Sequence, residues 1–180
     1  MLCEKRYGKV DKTYYLKLRD RYKPKVIKTI FILESPPASG KYFYDETGDV
    51  TEPLCTAFMR LLSYKPITKK EGLEYFVQTG HFLVDATYQP VNHLKEKDRE
   101  RVILSNYNAL VEDLQSLRVV DQSKLVLVKA NIRRLLEGRL LRDGFNVINK
   151  GVIIPFPSSG QQRRFREMIS KVYKFEPSNA

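Results

Sequence analysis

Four short apolar runs, 29–34 (TIFILE), 81–85 (HFLVD), 124–129 (KLVLVK) and 151–154 (GVII), constrain this chain more than any other feature. Each is continuous rather than alternating, the pattern of strands covered on both faces, as in a parallel sheet. Helical patterns lie between them. Residues 53–63 put Leu54, Phe58, Leu61 and Leu62 on one face, and 98–117 repeat apolar residues through Ile103, Tyr107, Leu110, Val111, Leu114 and Leu117. Further helices are expected over 130–141, through Ile132, Leu135, Leu136 and Leu140, and over about 160–173. The last puts Phe165, Met168, Ile169, Val172 and Tyr173 on one face and turns Arg163, Arg164, Arg166 and Lys171 largely away. Alternating strands and helices imply an α/β sandwich with a four-stranded, mostly parallel sheet.

At 180 residues the chain is long enough for one real core and too short for two full domains, so a single domain over 1–180 is expected. No apolar run approaches the ~20 residues of a membrane helix, and the basic start lacks the apolar run of a signal peptide. Two cysteines, Cys3 and Cys55, make neither a disulfide framework nor a four-thiolate metal or iron–sulfur site, which points to a reducing, cytoplasmic setting without a metal cluster. No cofactor is required, and a monomer is the expected form.

Lys and Arg number 32 against 21 acids, a net charge of +11 that favours a polyanionic partner, DNA first. Residues 1–30 alone carry ten Lys/Arg against three acids, with Tyr7, Tyr14, Tyr15 and Tyr22 interleaved. This basic extension, 1–28, reads equally as a phosphate-contacting segment and as a solvated helix whose tyrosines pack on the core.

In an open parallel sheet, ligands bind beyond the carboxyl ends of the strands. After the first run comes Glu34-Ser35-Pro36-Pro37-Ala38-Ser39-Gly40-Lys41, then Tyr42-Phe43-Tyr44-Asp45. As a phosphate loop it fits poorly: Ser35 stands where the first glycine belongs, Tyr42 replaces the magnesium-holding hydroxyl residue, and two prolines remove backbone donors. As a base-binding pocket it offers a carboxylate, a rigid turn and three aromatics. Stacking on such rings contributes ~1–3 kcal/mol per base, comparable with the few kcal/mol needed to unstack a damaged one. The plainer alternative leaves Glu34 to cap a backbone group or pair with a lysine and puts the aromatics in the core, although three in succession are not expected all to face one core.

Asp85 ends the second run, as a turn-former or as a carboxylate aimed into the crevice of Glu34. Two acids flanking a nucleoside can divide the labour, one positioning water and the other stabilising positive charge on the sugar. His81 and His93 lack metal-ligand spacing. After the fourth run, Pro155-Phe156-Pro157-Ser158-Ser159-Gly160-Gln161-Gln162 leads into Arg163 and Arg164, and Ser158 with Gln161, or Ser159 with Gln162, reads as a capping box opening the last helix. Such a terminus suits a phosphate.

With Leu33-Glu34-Ser35-Pro36-Pro37 after the first run and Phe156-Pro157-Ser158 after the last, the chain from 29 to about 172 resembles the uracil-DNA glycosylase superfamily. That family has a Gly-Glu-Ala-Pro-Gly-type motif at the first position and a His-Pro-Ser-type loop at the second. The resemblance implies a three-layer αβα sandwich and hydrolysis of an N-glycosidic bond to a damaged base flipped out of DNA, as in base excision repair. It implies Glu34 as the catalytic residue that activates water and Tyr42, Phe43 or Leu54 beneath the flipped base; on the reading of the residues themselves, Asp85 is the second catalytic carboxylate, and Pro157, Ser158, Ser159, Gly160, Arg163 and Arg164 lie against the DNA. Asp85 takes the place of a base-reading Asn, and an ionised carboxylate accepts hydrogen bonds without donating any, which argues against uracil. Phe156 replaces the histidine that stabilises the leaving base; it suits a wedge filling the flipped base's gap, or a site without chemistry. The alternatives are a non-catalytic nucleic-acid-binding protein on the same fold and a nucleotide-handling enzyme using the Ser39-Gly40-Lys41 loop.

Overall fold

The structure, a computed structural model, describes residues 11–117 and 123–175. Three strands, β1 (Thr29–Leu33), β2 (His81–Asp85) and β3 (Lys124–Leu127), form a sheet in the order β2-β1-β3. Both pairings are parallel, with Leu33 opposite Asp85 and Ile32 opposite Leu127. Along β1, Phe31 faces one side and Ile30 and Ile32 the other, and all three are fully buried, so both faces are covered, as the unbroken apolar runs predict.

Seven helices are described: α1 (Lys12–Asp20), α2 (Pro53–Leu61), α3 (Lys69–Gln78), α4 (Glu96–Ser105), α5 (Tyr107–Ser116), α6 (Ala130–Arg142) and α7 (Gln162–Val172). Phe31 meets Phe58 of α2 and Phe76 of α3, with ring centroids 4.8 and 6.2 Å away, and Phe58 meets Phe165 of α7 at 5.9 Å. Rings of this kind bury ~150–250 Å² each and at ~25 cal/mol per Å² dominate the core's energetics. Elsewhere α4 packs on α5 and α6, and α6 on β3.

The sheet departs from expectation at its fourth strand. Among the described residues the run 151–154 makes only a single parallel bridge, Val128 to Ile154. The cause is local. Asn149 accepts from Leu127 N (2.9 Å) and donates to Leu127 O (2.9 Å), so a side-chain amide occupies the β3 edge that a fourth strand would pair. Gly151 then turns the chain at φ +71°. On the opposite edge the Tyr44 hydroxyl accepts from Leu83 N (2.7 Å) and donates to Leu83 O (3.2 Å), closing β2 in the same manner.

The long helix expected over 98–117 is two helices meeting at Asn106. The expectation missed α3, whose start carries a Ser/Thr-x-x-Glu signature: Thr68 accepts from Glu71 N at 3.2 Å. The capping box expected at α7 does not form. Its N-cap is Gln161 without a side-chain bond, while Gln162 Nε2 turns back to Pro53 O (3.0 Å) and, closer still, Pro157 O. Within the basic extension, Tyr15, Arg19 and Tyr22 are buried and Tyr14 is about half exposed; Tyr7 lies outside the described residues. The α1 segment is therefore a core element through Tyr15 and Arg19. No described helix is long and apolar enough to cross a membrane.

Candidate active site

A cavity of about 580 Å³ opens at the carboxyl ends of the strands, within the range of small-molecule sites. Leu33 and Glu34 reach it from the end of β1, Leu83 and Asp85 from β2, and Val128 and Lys129 from the end of β3. Tyr42, Phe43, Pro53, Leu54, Phe156 and Ser158 complete most of the wall. Glu34 and Asp85 therefore share one crevice, and Tyr42, Phe43, Leu54, Phe156 and Ser158 surround it with them.

The expectation that Tyr42, Phe43 and Tyr44 cannot all be core fails, since all three are buried. Residues 42–45 form a turn rather than a strand, so no period-two alternation applies. Tyr42 packs edge-on to Tyr15, Phe43 on Phe58 and Phe76, and Tyr44 on Phe82. Tyr42 and Phe43 still present surface to the cavity. This wall is pinned by Lys69, buried to 1% exposure, whose Nζ donates to Tyr42 O (2.8 Å) and Glu52 Oε2 (2.8 Å).

Glu34 is gripped from both sides: Lys129 Nζ lies 2.5 Å from Oε2, Asn131 Nδ2 donates to Oε1 at 2.6 Å, and Arg99 Nε is 3.8 Å from Oε1. Of the readings open from sequence, pairing with a lysine is realised, and it happens inside the cavity. Each carboxylate oxygen keeps a further acceptor direction for water or ligand. Lys129 sits at φ +88°, a left-handed conformation that costs a non-glycine residue ~1–3 kcal/mol and concentrates at functional sites. Its N–H to Ile154 O (2.7 Å) and its side chain on Glu34 hold it there.

Asp85 is 3% exposed, and Oδ2 has no hydrogen-bond partner. Burial pushes its carboxyl up to about 7, against the lowering influence of the Arg19 guanidinium and the Tyr42 hydroxyl. That hydroxyl lies close enough to act on Asp85, but closes no hydrogen bond of good geometry. Behind Asp85, Arg19 from α1 donates to Asp113 Oδ2 (2.6 Å) and Oδ1 (3.0 Å) from α5, and to the Tyr88 hydroxyl (2.6 Å). Burial alone would lower the Arg19 guanidinium; its bonds to Asp113 raise it instead.

No family model, curated protein or solved structure matches this chain.

In the segment after Phe156, Ser158 lines the cavity, Pro157 is buried, Ser158, Ser159 and Gly160 are exposed, and Arg163 and Arg164 stand exposed on the first turn of α7. Arg163 pairs with Glu167 at 3.3 Å. The Ser39-Gly40-Lys41 segment does not run into a helix, because α2 begins only at Pro53, so the phosphate-loop reading loses the helix N-terminus that would cradle a phosphate. Among the described residues, no group of three or more His, Cys, Asp or Glu is placed to hold a metal. His81 is buried between Thr79 Oγ1 (2.7 Å) and the Tyr173 hydroxyl (2.9 Å), away from the cavity.

Sequence reasoning missed Lys129, Asn131, Arg99 and the Arg19–Asp113–Tyr88 group. The first two carried a signal. They follow β3 as Lys129-Ala130-Asn131, in the position relative to the sheet that singles out Glu34 and Asp85. Arg19 and Asp113 are 94 residues apart, and nothing local marks either.

Proposed function

We propose that this chain is a DNA glycosylase, hydrolysing the N-glycosidic bond of a deaminated or damaged base flipped out of DNA, on a divergent form of the uracil-DNA glycosylase fold. The observation that carries the reading is the cavity at the carboxyl ends of the strands, where Glu34 and Asp85 meet Tyr42 and Phe43. In the finer architecture we infer, the helices flank the sheet as a three-layer αβα sandwich and the segment around Ile154 stands for the fourth strand; its parallel bridge to Val128 supports this.

Glu34, held by Lys129 and Asn131, orients a water against the sugar's anomeric carbon, and Lys129 fixes the carboxylate's direction. The flipped base lies between Tyr42, Phe43 and Leu54 with its edge toward Asp85. Ser158, Ser159 and Gly160, with Arg163 and Arg164, meet the phosphates on either side of the flipped nucleotide, and Pro157 stiffens their loop. Phe156, a wall residue, acts on the base rather than as a wedge in the duplex.

Single-turnover incubation with oligonucleotides carrying uracil, hypoxanthine, xanthine, oxidised or alkylated bases, read by cleavage at abasic sites, tests the proposal. Release of one base, lost in Glu34→Gln with DNA affinity kept, is the expected result. Silence across the panel with tight, salt-sensitive binding would make this a nucleic-acid-binding protein that does no chemistry. Magnesium-dependent nucleotide turnover sensitive to Lys41→Ala would point to the phosphate-loop alternative.

A further inference from the structure

The carboxylates around the cavity are paired with cations, with one exception, while the cavity's second lysine, Lys41, makes no ion pair among the described residues. Glu34 is matched by Lys129, Glu52 by the buried Lys69, and Asp113, behind the cavity, by Arg19 through two hydrogen bonds. Asp85 is left over. It lines the cavity almost wholly out of solvent, with Oδ2 unpartnered, and the cation that acts on it, Arg19, is already committed to Asp113. The other groups facing it are the hydroxyl-bearing Tyr42, Tyr44 and Tyr88 and, from α1, Tyr15.

A lone buried carboxyl facing an aromatic-walled cavity is complementary to a flat cation. Rings attract cations over their faces, and the missing counter-charge completes the site. We propose that the base this cavity selects is positively charged, an N-alkylated or ring-protonated purine or pyrimidine, held against Asp85 with Tyr42, Phe43 and Phe156 around it.

The chemistry agrees with the lining. A neutral base leaves as an anion and needs a proton or a strong donor at the departing atom; neither histidine lines this cavity, Phe156 stands in its wall, and of its two lysines, Lys41 and Lys129, the second is taken up by Glu34. A cationic base needs neither. Water oxygen bonds to the anomeric carbon, the carbon–nitrogen bond breaks, its electron pair passes to the ring nitrogen, and the base departs neutral. The water's proton goes to Glu34 or to solvent.

This inference rests on the glycosylase reading for its substrate but not for its test. Calorimetric binding of N1-methyladenosine, N3-methylcytidine and N7-methylguanosine is compared with binding of the unmethylated nucleosides, using the full-length protein and Asp85→Asn. At least one methylated nucleoside is expected to bind about tenfold or more tighter than its parent, with the preference abolished in Asp85→Asn. Absence of any preference, whether both members of a pair bind or neither does, overturns the inference. The native protein gives a second readout that needs no variant. Its preference for N1-methyladenosine or N3-methylcytidine, which stay cationic throughout, should fall between about pH 7.5 and about pH 5.5, as Asp85 takes up a proton, and a constant preference is contrary to the proposal. Release of uracil or hypoxanthine but no alkylated base would leave the glycosylase reading standing and remove this one. Charge-selective binding without release of any base would do the reverse.

Discussion

Replacing Asp85 with asparagine should stabilise the protein, and increasingly so as the pH rises. The carboxyl titrates at 3.8 in an ordinary setting and at about 7 in its buried position. Between those values the native state keeps a proton that the unfolded chain has released, so stability falls as the pH rises through this window and levels off above it. At ~1.4 kcal/mol for each tenfold change in proton affinity, the rise from 3.8 to about 7 makes the cost of an ionised Asp85 on the order of 4 kcal/mol. Asparagine has nearly the same shape and no charge to desolvate. Urea denaturation of both proteins from about pH 4 to about pH 8 should give matching midpoints at the acid end. At the alkaline end the variant's midpoint should lie higher by about 2 M, for a slope of ~2 kcal/mol per M. A stability difference that stays constant across this range would refute the reasoning, because it would mean that Asp85 ionises as easily in the fold as outside it.

Arg19→Ala should destabilise by ~3–5 kcal/mol in the same measurement, since it leaves the largely buried Asp113 without its two charged donors; a loss below ~1 kcal/mol would count against a structural role for α1. Asn149→Ala strips the partners from Leu127 N–H and C=O, so a loss of ~1–3 kcal/mol is expected, with faster hydrogen exchange at the Leu127 amide; unchanged protection there would contradict the described pairing. On the DNA-binding reading, the double substitution Arg163→Ala with Arg164→Ala should make the dependence of log affinity on log salt shallower by ~0.9 for each phosphate no longer neutralised, and an unaltered slope would remove α7 from the interface.

The parallel sheet was legible because apolar runs such as 29–33 have to be covered on both faces, and that demand is written directly in residue type. The crevice shared by Glu34 and Asp85 was legible for a topological reason: both follow parallel strands, and neighbouring parallel strands present their ends side by side. Less was readable where long-range partners decide the outcome. Nothing in the string LKLRD tells a solvated arginine from one whose fork is filled by Asp113, and only the completed fold brings the two together. The fourth strand failed for a subtler reason. Its apolar run is genuine, but Asn149 reaches the ladder first, and an asparagine three residues before a hydrophobic stretch ordinarily reads as a turn-former.

The two side chains that close the sheet, Tyr44 on β2 and Asn149 on β3, bear on how copies of this protein behave at high concentration. An open strand edge is a template on which another chain can add a strand, and many proteins guard it with lysines, prolines or bulges. Here, at Leu83 and Leu127, both the donor and the acceptor of the outer backbone are occupied by a single side chain carrying its own donor and acceptor. A visiting strand would have to displace a buried phenol on one side, or on the other a buried amide flanked by the backbone of Asn146, Ile148 and Ile154, which already pairs with Leu125 and Lys129. Two polar side chains thus help to stop runaway sheet growth, in a protein whose three described strands are otherwise short, apolar and well suited to it.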